Sequence, residues 1–223
     1  MANQISPYHA PGFYAEALSK GRHRDIVGGR WDETGRAQMA VLQAQGLLPH
    51  HHLLDIGAGS LRLGCKAVPY LNPGQYWATD MSGDLMQQGR AVELTDPSRL
   101  PSDHLIEDTD FAFPGVPDTI THAIAFAVFT HLPDSFLHSA LHQLRHKFPH
   151  LQKLLFTVFL APDRDTSLRP LRQPDGVVTH KLRAPYHLLA ADVQTMAQSA
   201  GFAITQNDTR LPRGQVLYVG TPT

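Results

Sequence analysis

His52-Leu53-Leu54-Asp55-Ile56-Gly57-Ala58-Gly59-Ser60 reads as a short strand that runs into a sharp turn. His52 to Ile56 is apolar enough to lie buried in a sheet and too short for a helix. Glycines at 57 and 59 permit a tight reversal and let another molecule approach the backbone closely. A helix toward Tyr70 follows, and the free N–H groups at its start favour a carboxylate or other anion. A plain strand-to-helix turn shows the same residues, so the flanking sequence must separate the two readings.

Asp80 stands 21 residues after Gly59, at the end of the next strand, Gln75–Thr79. A carboxylate there can accept hydrogen bonds from both hydroxyls of a ribose, or simply cap the next helix. A dinucleotide fingerprint wants a third glycine three positions after Gly59, and Arg62 occupies that place. Asp55 precedes the first glycine by two positions. Asp-x-Gly-x-Gly favours a ligand with an amino-acid end, which fits S-adenosylmethionine better than NAD.

Outward from this turn, strands and helices alternate. Ser82 caps a helix to about Glu93, His104–Glu107 is a short third strand and Thr119–Phe126 a fourth. Pro133–Phe148 is helical, Lys153–Leu160 is a buried fifth strand, and Ala191–Ala200 is a helix closed by Gly201. Ala203–Gln206 and Val216–Val219 follow with only a short connection, which requires an antiparallel pair. The expected fold is α/β, a Rossmann-like, doubly wound, mostly parallel sheet of about seven strands. One strand near the end is antiparallel, and helices cover both faces. Before it, helices at Phe13–Asp25 and from an Asp32 cap to Gly46 make residues 1–50 an N-terminal helical segment covering the site. Residues 51–223 form the Rossmann-like domain, and the whole reads as a single domain.

Composition narrows the partners. With 19 Lys and Arg against 20 Asp and Glu, no field of one sign is available to hold a nucleic acid. No run of about 18 apolar residues suits a bilayer, and Met1 to Ala15 shows no basic segment leading into an apolar core. A cytoplasmic protein without membrane or nucleic-acid partners is expected. One cysteine and 14 histidines without ligand spacing predict no metal site. Nothing in the sequence sets an oligomeric state.

Several further segments, in order, resemble the class I S-adenosylmethionine-dependent methyltransferases, in particular a small bacterial branch. Val27-Gly28-Gly29 with Trp31, Gly35 and Gln38 resembles its lead-in, and Asp55 to Arg62 its first motif. Tyr76-Trp77-Ala78-Thr79-Asp80 resembles the second motif and Asp110-Phe111 the acidic-aromatic pair after the third strand. Val128-Phe129-Thr130-His131-Leu132 and Phe156-Thr157-Val158-Phe159 resemble segments after the fourth strand and in the fifth. The branch's Phe-Asp opening of the fourth strand is replaced by Asp118-Thr119-Ile120, and its glycine pair before the fifth by His150-Leu151-Gln152.

The resemblance implies S-adenosylmethionine as cofactor and S-adenosylhomocysteine as product. It places Asp55, Gly57, Ala58, Gly59 and Arg62 at the methionine end and Asp80 on the ribose. Met81, Asp110 and Phe111 lie at the adenine, with Asp108 as the alternative acid. Phe126 and Ala127 lie beneath the cofactor, and Trp31 beside it.

Methyl transfer is an in-line displacement that needs alignment and exclusion of water. A hydroxyl acceptor also needs a base, and His131, just past the fourth strand, is the catalytic candidate. Tyr14, Trp31, Tyr186 and His187, with His131, are the expected substrate contacts. The connection from Ala161 to His187 carries Arg164, Arg169, Arg172, Lys181 and Arg183. It reads either as a lid for an acidic small substrate or as a solvated surface loop. Two other functions compete: an NAD(P)-dependent oxidoreductase, and a non-catalytic module that binds S-adenosylmethionine or another nucleotide.

Overall fold

A computed structural model describes residues 5–223, so the first four residues of the expected N-terminal segment lie outside the described residues. The chain opens with helices α1 (Phe13–Ser19) and α2 (Trp31–Ala44). It then alternates through β1 (Leu53–Ile56), α3 (Gly64–Tyr70), β2 (Tyr76–Asp80), α4 (Gly83–Glu93) and β3 (Leu105–Glu107). Next come β4 (His122–Ala125), α5 (Asp134–Lys147) and β5 (Lys153–Ala161). A short helix α6 (Arg164–Ser167), a hairpin of β6 (Leu171–Arg172) and β7 (Val178–Thr179), and β8 (His187–Leu189) follow. Helix α7 (Ala190–Ser199), β9 (Phe202–Asn207) and β10 (Val216–Pro222) complete the fold.

The sheet runs β3-β2-β1-β4-β5-β10-β9, with β8 paired to the end of β5. Every neighbour from β3 to β5 is parallel, and β10 is antiparallel to both β5 and β9. The one reversed strand therefore lies inside the sheet. Its sequence suits that place: Leu217, Tyr218 and Val219 are all buried, whereas β9 alternates buried and exposed residues, as a strand with one wet face does.

Period-two alternation divides the core. Leu54, Ile56, Leu154, Phe156 and Val158 face α5 and α7, where Leu137, Leu141, Leu144 and Val193 meet them. Leu53, Leu155, Leu217 and Val219 face the other way, against Leu42 of α2, Val68 of α3 and Met86 of α4. No helix among the described residues is long and apolar enough to cross a membrane.

Three local expectations are corrected. Asp32 does not cap α2, which begins at Trp31 behind Arg30 in a left-handed conformation. The helix after the glycine turn starts only at Gly64, because Leu61 at φ 61° carries the chain through a further turn first. The 161–187 connection is not featureless, since α6, the hairpin and β8 organise it.

On β4, the His122 ring stacks on His51 at 4.4 Å, and burial pushes His122 down to about 4. The fold thus holds the neutral imidazole. That contribution is present above the ordinary value of about 6.5 and is lost as pH falls toward 4, on the order of 2–3 kcal/mol. Thermal melts from pH 7 to pH 4.5 should fall more steeply for the native chain than for His122→Leu, which cannot take the proton.

Candidate functional site

A cavity of about 350 Å³ opens at the carboxyl ends of β1, β2 and β4, within the roughly 300–1,000 Å³ of small-molecule sites. This is the crevice where open α/β sheets bind ligands. Gly57, Ala58 and Gly59 form part of its wall. Gly57 has φ 68° and Gly59 φ 57°. A Cβ at Gly57 would overlap Val128, and one at Gly59 would overlap Val27. Both glycines are thus required by backbone conformation and by close approach.

Three backbone N–H groups of this turn are engaged within the fold. Gly57 N and Ala58 N donate to the Thr79 carbonyl at 2.7 and 3.1 Å, and Gly59 N donates to Asp80 Oδ2 at 2.8 Å. Asp80 Oδ1 also accepts from Ser82 N at 3.1 Å, so this carboxylate ties β1 to β2 as well as facing the cavity. Burial pushes Asp80 up to about 6, against the backbone N–H groups that favour its charge.

A side chain adds a cation to this wall. Arg62 Nη1 donates to the Val27 and Gly29 carbonyls at 2.6 and 3.3 Å, which holds the guanidinium against the cavity. Its Nε is buried without a hydrogen-bond partner among the described residues. On the same lining, Gln38 of α2 is 5% exposed, and its Oε1 is likewise buried and unpartnered. An orphaned donor on a cation and an orphaned amide acceptor are expensive to bury unless a ligand completes them.

The N-terminal segment closes over this site. Glu93 accepts from Arg24 Nε and Nη2 at 2.6 and 2.7 Å and from His23 Nε2 at 2.7 Å. Ser60 Oγ donates to the His23 carbonyl at 2.8 Å, and Arg213 donates to that of Gly28 at 2.7 Å. Tyr8 and Tyr14 thereby reach the cavity, and the Tyr8 ring packs edge-on against His131 at 4.9 Å. Burial pushes His131 down to about 4, so its imidazole is neutral at physiological pH.

Of the residues singled out from the sequence, Tyr14, Gly57, Ala58, Gly59, Arg62, Asp80, Met81, Phe111, Phe126, Ala127 and His131 line the cavity. Trp31, Asp55, Asp110, Tyr186 and His187 are not on the lining, each for a physical reason. Trp31 supports the cover from outside, with Arg24 stacked 5.0 Å over its ring. Asp55 lies behind the turn and accepts from the Tyr76 hydroxyl at 2.6 Å; burial pushes it up to about 7. Asp108 takes the lining place in preference to Asp110, accepting from the backbone N–H groups of Asp110, Ala112 and Phe113. The Tyr186 hydroxyl donates to the Ile5 carbonyl. His187 is enclosed between Thr179 Oγ1 and the Ser167 carbonyl. The five cations of the 161–187 connection do not line the cavity; Val177 and Pro185 represent that segment there.

Sequence reading missed Tyr8, Thr34, Arg213 and Gln215 as lining residues. Gln38 alone carried a local signal, as an amide beside Met39 and Leu42 on the apolar stripe of α2.

No protein-family model and no curated protein matches the chain. Solved structures do. The fold is similar to a magnesium protoporphyrin IX methyltransferase from Synechocystis PCC 6803 with bound S-adenosylmethionine. The TM-score is 0.59 at 17% identity, over 97% of this chain and 93% of that one. It is similar to a 1,6-didemethyltoxoflavin-N1-methyltransferase from Burkholderia thailandensis, with TM-score 0.60 and 18% identity over 98% and 92%. A TehB-like methyltransferase from Corynebacterium glutamicum gives TM-score 0.60 and 13% identity over 96% and 100%. The chain has the fold of the class I S-adenosylmethionine-dependent methyltransferases.

Proposed function

We propose that this chain is a methyltransferase that binds S-adenosylmethionine, transfers its methyl group in line to a small molecule, and releases S-adenosylhomocysteine. The carrying observation is that two residues of the cavity lining each hold a buried polar atom without a partner among the described residues, Arg62 Nε and Gln38 Oε1. A donor and an acceptor of this kind suit the carboxylate and ammonium of an amino-acid end. A dinucleotide has neither group. Asp80 would hold the ribose hydroxyls with its remaining lone pairs. Met81 and Phe111 supply the apolar surface for a purine. The bound sulfonium supplies an activated methyl group; the protein contributes position and a dry, covered site. His131 is the group that would take a proton from an acceptor.

Incubation with isotope-labelled S-adenosylmethionine and a pool of small molecules tests this reading. Labelled product with equal S-adenosylhomocysteine is expected; oxidation of NADH without either would overturn it. The Asp80 carboxyl adds a pH signature. Ligand hydroxyls favour the ionised form, so binding must expel a proton below about 6. Affinity for S-adenosylhomocysteine should rise with pH up to about 6, by at most about tenfold per unit, then level off. Calorimetry across pH 5 to 8 measures it.

A further inference from the structure

The reversed strand brings a second set of polar groups to the cavity. Because β10 runs antiparallel to β5, its first residues lie where the parallel strands end. The turn before it, Pro212–Gly214, delivers Arg213 to the lining, and Gln215 follows. Arg213 sits at φ 69°, a left-handed conformation that is strained for a residue other than glycine. Its backbone N–H donates to Asp175 Oδ2 at 2.9 Å, which fixes the turn. The Asp175 carboxylate meets the guanidiniums of Arg30 and Arg210 instead, at 3.7 and 3.6 Å. The Arg213 guanidinium has no acidic partner among the described residues, and its one hydrogen bond goes to the neutral Gly28 carbonyl. Strained backbone held in place around an unpaired charge is characteristic of ligand clamps.

Gln215 is buried, 8% exposed. Thr157 Oγ1 accepts from Ala127 N at 2.8 Å and donates to Gln215 Oε1 at 2.6 Å. That chain leaves Gln215 Nε2 as a donor without an acceptor among the described residues. The Tyr8 hydroxyl lies within reach of the same charge: burial pushes it up, and Arg62 and Arg213 pull against that shift. The unmet groups at this end are therefore donors, and one is a cation. The acids of the lining lie on the other side. Asp80 ends β2 and Asp108 follows β3, with β1, β4 and β5 between them and β10, and both already hold backbone N–H groups.

Charge balance points the same way. Arg62 keeps Nε and Nη2 without partners among the described residues. That edge of a guanidinium grips a carboxylate through two parallel bonds, and the carboxylate of the methyl donor would take it. The two arginines and two aspartates of the lining offset each other. S-adenosylmethionine brings a sulfonium and an ammonium against one carboxylate, so the filled site is left with a surplus positive charge. Burial pushes the Arg62 guanidinium down and repulsion by Arg213 adds to that, so an anion beside Arg213 relieves both. Resting on the methyl-donor reading above, we infer that the acceptor carries a carboxylate remote from its methylated atom, seated at the mouth of the cavity on Arg213 and Gln215. Arg213 is exposed, so the carboxylate keeps part of its water. The rest of the acceptor enters past Leu132, Phe159 and Pro185. A molecule of the same shape without the charge would leave the guanidinium and the buried amide donor unmet.

Sinefungin, a methyl-donor analogue with an ammonium in place of the sulfonium, keeps the surplus charge and transfers nothing. Protein saturated with it is titrated calorimetrically with naphthoate, with naphthamide and with naphthylmethylamine. Naphthoate should bind at least about tenfold more tightly than the uncharged amide or the cation. Arg213→Gln, which keeps the backbone contact to Asp175, should reduce that preference below about threefold and leave sinefungin affinity within about twofold. Arg213→Lys, which keeps the charge, should hold the preference above about threefold. Naphthoate binding no tighter than the amide, absence of binding included, overturns the acceptor assignment alone, as does a preference undiminished in Arg213→Gln. A matching loss of sinefungin affinity in that variant also overturns it, because the guanidinium would then serve the methyl donor. Failure of both sinefungin and S-adenosylhomocysteine to bind the native chain overturns the methyl-donor reading, and this inference with it.

Discussion

Asp80→Asn should lower affinity for S-adenosylhomocysteine by about two to three orders of magnitude at a smaller cost in stability, about 1–3 kcal/mol for the one buried N–H it leaves unpaired. The carboxylate would accept charge-assisted hydrogen bonds from two ribose hydroxyls, each worth about 1.5–3 kcal/mol, and tenfold in affinity is about 1.4 kcal/mol. Asparagine keeps the shape and one acceptor oxygen for Gly59 N or Ser82 N. Asp80→Ala is a poorer test. It leaves both of those N–H groups unpaired in a buried place, at about 1–3 kcal/mol each, so it would loosen the turn as well as the ligand. Calorimetry paired with thermal melts distinguishes the two variants. A loss of binding in Asp80→Asn matched by an equal loss of stability would contradict the ribose assignment.

Gly89→Ala should cost more than about 3 kcal/mol of stability and take the site with it. Gly89 sits in α4 against the backbone of Ser60, and a Cβ there would overlap the Ser60 carbonyl. Neither a helix interior nor a turn fixed by Asp80 can yield easily, because interiors are close-packed. Gly83→Ala, at the start of the same helix, is the control. Its Cβ would meet only the flexible Glu107 carboxylate, at 3.2 Å, so that variant should stay within about 0.5 kcal/mol. Denaturant melts of both decide. Equal stability of the two variants would show that α4 does not pack on the glycine turn as described.

The architecture was legible because hydrophobic period and turn residues are local signals. Leu53–Ile56 into Gly57-Ala58-Gly59 marked the strand and turn, and the short return between the last two strands required one reversed strand. The place of that strand was legible too, in the contrast between the apolar run of β10 and the alternation of β9.

The site was legible only where chemistry sits on the motif itself. Arg62 stood out because it replaced a glycine, yet its carbonyl partners Val27 and Gly29 lie more than thirty residues away. Tyr8 reaches His131 only through the folded cover. Trp31, Tyr186 and His187 are aromatic or polar residues near a site in sequence whose partners turn them elsewhere. The engaged N–H groups of the glycine turn followed from the register of β1 on β2, which no local pattern encodes. The basic connection suggested an acidic substrate, but charge along a segment does not say which side chains face inward.

On the proposed function, Arg62 and Gln38 read the amino-acid end of the ligand. The most direct test of that role compares S-adenosylhomocysteine with methylthioadenosine, which keeps the nucleoside and lacks that end, by calorimetry on the intact chain. S-adenosylhomocysteine should bind at least a hundredfold more tightly, and Arg62→Ala should erase most of the difference. Equal affinity for the two, or tighter binding of NADH than of either, would contradict it.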